Sequence, residues 1–301
     1  MSRLRTVIAA VDFSDSSRRI LVLAARLARK HGAVLHVLAS VPTENEPGPA
    51  DPAYVRAAVR SAAVRSAAVR SAAVRRAGPQ DPPVGDHSTL MATRDALRRL
   101  VAEVPDLISP CLDVIAGSPT STILNAAERE DADLVVMAAD HGCPSGTHIP
   151  GAVAQHVLLN ARRSILVVPS SWTPPAVGIG LAPIVVGVDA TEPGLGAGRL
   201  AAELARTLET TVEAVHVVPY PEVSTELERL LHIVAPTLDG LRVEVGDVVE
   251  RLATIAAPVG MRRPLLVIGR RGHGGPEAMP GSTAERLAAL GTIPLLMYRP
   301  A

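Results

Sequence analysis

The chain has 301 residues, a formal net charge of +0 at pH 7, and 48% apolar against 20% charged residues. Zero net charge removes any global attraction to DNA or to an anionic membrane surface, and 2% aromatics argues against a base-stacking platform for single strands. Two cysteines are too few for a disulfide framework, and no apolar run reaches the roughly 20 residues of a membrane span. The opening MSRLRTVIAAVDFSD meets acidic residues before a signal-peptide core could form, so a cytoplasmic protein is expected. The length suggests about two domains, each large enough for its own core.

In chain order, RTVIAAV reads as a buried strand that ends at Asp12. The helix that follows carries Ile20, Leu23, Ala24, Leu27 and Ala28 on one face, with Ser14 or Asp15 to cap its start and Gly32 at its end. AVLHVLASVP, residues 33–42, is the second strand. An insertion at about 43–87 then repeats the unit AAVRS with a five-residue period. On a helix that step advances about 140° net, so Arg60, Arg65, Arg70 and Arg75 spiral around the axis and leave no amphipathic face. The insertion reads as a helical or partly disordered excursion, and its functional alternative is a basic arm for an acidic partner or nucleic acid. A second helix is expected near 88–104. LDVIAGSPTSTILNAAE, DLVVMAADHG and RRSILVVP complete the first copy.

The same series then recurs. PIVVGVDATEPG at 183–194 matches the first strand and turn, TVEAVHVVPYP the second strand, and LRVEVGDVVERLATIAA the third strand and its helix. PLLVIGRRGHG and GTIPLLMYRP follow. Leu200, Leu204 and Leu208 make the helical stripe, with Pro193 near the helix start. The predicted architecture is α/β, two tandem five-stranded parallel-sheet domains of Rossmann-like type at 1–170 and 182–301, joined through the Pro/Gly-rich segment SWTPPAVGIGLA.

In open α/β sheets ligands gather beyond the carboxyl ends of strands where strand order reverses, which singles out the loops after strands one and four. Asp12 and Asp189 end strand one in the two copies. After strand four of copy two comes GRRGHGGPEAMPGST, with glycine or serine at six of fifteen positions. Glycine permits close backbone approach, and a helix N-terminus favours an anion. Arg270, Arg271 and His273 could also donate to phosphate. Two plain alternatives stand beside this: Ser282 and Glu285 form a capping box, and an aspartate after a strand is a common turn residue.

These segments together resemble the universal stress protein family in its tandem form. The ATP-binding branch of that family carries a strand-four loop of G, two residues, G, nine residues, then G followed by S or T. Copy two has Gly269, Gly272, Gly281 and Ser282, one residue short of that pattern, while copy one keeps Gly142 and Gly151 with Ala139 and Ala152 where the first Gly and the Ser belong. The resemblance implies ATP, with or without Mg2+, as ligand. In copy two the binding residues would be Asp189, Val217 or Val218, Gly269, Arg270, Arg271, Gly272, Gly281, Ser282 and Thr283. A weaker site in copy one would use Asp12, Val37, Gly142 and Gly151. It also implies pairing through the last strands, 164–168 and 293–298, either within one chain as a pseudo-dimer or between chains as a homodimer, and a further protein partner.

No catalytic constellation is present. GxxxxGK[ST], GxSxG and HExxH are all missing, so no catalytic residue is assigned and enzymatic activity is not expected beyond slow ATP hydrolysis. HGCPSGTH at 141–148 matches no standard zinc spacing, and no metal is expected. The functional expectation is a nucleotide-dependent stress or dormancy regulator. Its rivals are a partner-binding structural module with decayed sites and a slow ATPase.

Overall fold

The computed structural model describes residues 4–41, 87–104, 107, 109–139, 151–172, 182–220, 240–257, 264–270 and 282–300. In the first half the elements are β1 (Thr6–Val11), α1 (Asp15–His31), β2 (Val34–Val41), α2 (His87–Ala102), β3 (Cys111–Ala116), α3 (Pro119–Arg129), β4 (Leu134–Ala138), α4 (Ala152–Asn160) and β5 (Ser164–Val168). In the second half they are β6 (Ile184–Gly187), α5 (Glu192–Leu208), β7 (Val212–Val218), β8 (Leu241–Val245), α6 (Val248–Ile255), β9 (Leu265–Gly269), α7 (Ser282–Leu290) and β10 (Leu295–Tyr298). The AAVRS repeat and the HGCPSGTH segment lie outside the described residues.

All ten strands form one sheet in the order β3-β2-β1-β4-β5-β10-β9-β6-β7-β8. Each half is parallel throughout and has the same internal order. The halves meet where β5 and β10 run antiparallel, with Leu295 opposite Val167, Leu296 opposite Leu166 and Met297 opposite Ile165. Pairing through the last strands therefore occurs inside one chain.

Strands buried on both faces must be apolar at every position, which is why β4 and β5 read LVVMA and SILVV. Alternation sends Val7, Leu134, Leu166, Leu265 and Leu296 to one face, beneath α1, α2 and α5. Ile8, Val135, Ile165, Leu266 and Met297 go to the other, beneath α3, α4, α6 and α7. Both cores run across the join, so each half buries part of its apolar surface against the other.

The five periodic residues expected on α1 are all buried, and Gly32 takes the left-handed C-cap at φ 61°. α5 starts as expected with a proline in its first turn, and Thr191 accepts from Gly194 N. Trp172, read from sequence as linker, is 3% exposed and packs into the core below α1. Its apolar ring area outweighs the loop-like composition around it.

Asp247 caps α6 by accepting from Glu250 N at 3.0 Å and pairs with both Arg286 Nη atoms, tying α6 to α7. The Arg286 guanidinium holds its carboxyl below the ordinary 3.8. A depressed carboxyl contributes stability above its unfolded value and loses it as pH falls through the lower folded one. Asp247→Asn is therefore expected to flatten the acid limb of a stability-against-pH curve, measured by urea midpoints below about pH 4, while an unchanged slope would contradict the pairing.

Candidate functional site

β1 lies between β2 and β4, and β6 between β7 and β9, so strand order reverses at β1/β4 and at β6/β9. Continued past the strand ends, the register places Asp12 beside Ala138 and Ala139 and Asp189 beside Gly269 and Arg270, as the topology rule requires. Pairing register aligns the copies residue by residue. Val7 and Ile184 face Leu134 and Leu265, which puts Ala138, one position before Ala139, in the place of Gly269. From that glycine position to the glycine before the helix is thirteen steps along the chain in the first copy (138 to 151) and twelve in the second (269 to 281). The first copy thus keeps the loop length but has Ala138 and Ala152 in the places of Gly269 and Ser282, whereas the second keeps that glycine and serine and is one residue shorter.

Both aspartates hold the entry to a helix. Asp12 Oδ1 accepts from Ser14 N at 2.9 Å, Ser14 Oγ at 2.6 Å and Ser17 Oγ at 2.9 Å. Asp189 Oδ1 accepts from Thr191 N at 3.1 Å and from Thr191 Oγ1. A Cβ on Gly194 would fall on Asp189 Oδ1, so this glycine is what lets the carboxylate lie against the first turn of α5. The turn role anticipated for both residues is real, and it fixes the carboxylates at the mouth of each switch point.

Gly269 has a similar reason. A Cβ there would sit 2.7 Å from Pro193 C and 2.9 Å from Gly194 N. β9 and the start of α5 thus touch backbone to backbone. Gly269→Ala is expected to cost about 1–3 kcal/mol through overpacking, read from the denaturant midpoint. An unchanged midpoint would mean that α5 is free to shift.

Two expectations are corrected. Arg270 is engaged within the fold: its guanidinium is buried and donates to the carbonyls of Leu159 and Ala161, at the C-terminal end of α4 in the other half. Orphan carbonyls and the negative end of a helix dipole draw the cation there. Val37 is fully buried in the core beneath α1 and cannot line a pocket; its counterpart by register is Ala214, whereas Val217 and Val218 correspond to Ser40 and Val41. Val217 packs on the opposite face toward α6, and Val218 is 9% exposed.

Gly151 closes the first loop, its N–H donating to Ala139 O at 2.7 Å immediately before α4. α7 begins at Ser282, with Thr283 half-buried in its first turn. Gly142, Arg271, Gly272 and Gly281 lie outside the described residues. His216 was missed by sequence reasoning. Buried on β7, it donates from Nδ1 to Val188 O at 2.9 Å, bracing the backbone just before Asp189. A lone histidine at a core-facing position of VEAVHVV was the available signal. Among the described residues no group of His, Cys, Asp and Glu could hold a metal ion, and no helix is long and apolar enough to cross a membrane.

With strand order, switch points and loops in place, a family comparison is decisive: the model of the universal stress protein family matches residues 3–169. The chain belongs to the universal stress protein family. Its fold is similar over nearly its whole length to that of a universal stress protein from Archaeoglobus fulgidus DSM 4304. The two share 14% identity with a TM-score of 0.60, covering 98% of this chain and 96% of that one. A functionally unknown protein from Pseudomonas aeruginosa PAO1 is similar at 18% identity and a TM-score of 0.61, covering 99% and 93%. No curated protein matches the sequence. The family match covers the first half, and the second half repeats the same strand order, so this universal stress protein carries two switch points on one sheet.

Proposed function

We propose that this universal stress protein binds an adenine nucleotide, ATP with or without Mg2+, at the switch point of its second half and acts as a regulator in stress response or dormancy without efficient catalysis. The observation that carries the reading is the meeting of Gly269 with Pro193 and Gly194 beside Asp189, at the β6/β9 reversal. The glycine-rich segment of the sequence after β9 leads into α7 at Ser282. Amide N–H groups and the positive end of α7 would hold phosphate oxygens, and Asp189 stands where a ribose or base edge would lie. The first half offers Ala138 and Ala152 at the matching positions and is the weaker site.

The loop 269–282 carries no lysine to stabilise charge on a transferred phosphoryl group, which supports binding over turnover. Native mass spectrometry of the purified chain, followed by a phosphate-release assay, tests both parts. A bound adenine nucleotide with phosphate release at the buffer rate is expected; steady release lost in Asp189→Ala would make it an ATPase. A partner-binding module with decayed sites is the second reading, favoured by Arg270, whose guanidinium is taken up by the carbonyls at the end of α4. Nucleotide-free protein that also fails to bind added ATP would select it.

A further inference from the structure

Because β5 and β10 pair with each other inside the chain, the strands this fold would use to join another copy are already occupied. Among the described residues the sheet ends at β3 on one side and β8 on the other. β8 is LRVEV, with Val243 40% and Val245 38% exposed, an unusual pair of apolar residues to leave on an edge. Gly246 N donates to Val218 O at 2.9 Å, so the N–H and C=O groups of residues 246, 244 and 242 face β7. Those of Leu241, Val243 and Val245 therefore face outward.

We propose that β8 is a homodimer interface, in which a second copy of this chain adds its own β8 antiparallel about a two-fold axis at Val243. Self-pairing at that register sets Val243 opposite Val243 and Leu241 opposite Val245 of the second copy, each pair using the outward backbone groups as hydrogen-bonded partners. Arg242 then falls opposite Glu244 of the second copy at the non-hydrogen-bonded positions, where side chains approach most closely. Within one chain Arg242 already reaches Glu244 at 2.6 Å and Glu213 at 2.8 Å, so both charges stand on one face and are set for exchange across the axis. Pattern, charge and backbone direction agree on a single register.

The other edge lacks this complementarity. Gly117 N donates to Val41 O, which turns Leu112, Val114 and Ala116 outward by the same parity. Self-pairing about Val114 would set Asp113 opposite Ile115, and Asp113 is held by His36 at 3.1 Å. Only β8 is self-complementary. Its five residues bury little area, so the dimer is a weak one.

Sedimentation of the full chain from the micromolar to the near-millimolar range tests this. A concentration-dependent dimer is expected, weakened at least about tenfold in Val243→Pro. That variant should keep its circular dichroism and thermal midpoint, because the N–H it removes faces outward and no β7 bond is lost. Arg242→Glu and Glu244→Arg should each be monomeric alone and associate when mixed. A chain that stays monomeric throughout, a dimer unchanged by Val243→Pro, or charge variants that fail to associate on mixing would each overturn the proposal.

Discussion

Replacing Leu296 by Asp is expected to leave the chain without its ten-stranded sheet: the protein should be recovered unfolded or aggregated, with the far-UV dichroism of the native fold lost. Leu296 is fully buried, pairs with Leu166 across the antiparallel join and belongs to the core that runs under α1 and α5. A carboxylate there sits in an apolar cluster and must either enter it charged or bind a proton, and both cost more than a domain's ordinary margin can absorb. Leu296→Ala is the graded version, expected to cost about 2–5 kcal/mol by urea unfolding. If the Asp variant folds and one half merely detaches, the halves are independent and the shared-core description fails.

The next largest effect is expected at Arg270. The residue is 5% exposed and its guanidinium serves the carbonyls of Leu159 and Ala161, with Arg299 Nη1 also donating to Ala161 O at 3.0 Å. Arg270→Met keeps the aliphatic volume and leaves buried carbonyls short of donors, so a loss of about 2–4 kcal/mol is expected. Arg270→Lys should recover part of it, since one ammonium cannot reproduce the planar fork. A change below about 0.5 kcal/mol in the calorimetric stability of Arg270→Met would mean that α4 is anchored by other contacts.

Legibility differed by element for physical reasons. Runs such as TVIAAV and LLVIG announce buried parallel strands because both faces must be apolar, and the repeat announced that the order would be used twice. The α1 stripe and its Gly32 cap were equally clear, because helix period and left-handed glycine are local signals. What was not legible depends on partners distant in sequence. Arg270 sits among glycines and reads as a phosphate donor; only the fold brings α4 within its reach. Val37 reads as a pocket residue until register shows which face it takes. Trp172 looks like linker because its neighbours are Pro and Gly, and His216 carries no motif. The one-residue offset between Ala138 and Ala139 is likewise invisible until strand pairing supplies an alignment that spacing alone does not.

The central claim is that the second switch point holds an adenine nucleotide, and titration calorimetry of ATP into the full chain, with and without magnesium, addresses it most directly. The account predicts a stoichiometry near one, abolished by Gly281→Val and kept by Gly151→Val, which would place the ligand in the second half. Absence of binding heat in a chain freed of co-purified nucleotide, or binding lost only in Gly151→Val, would contradict it.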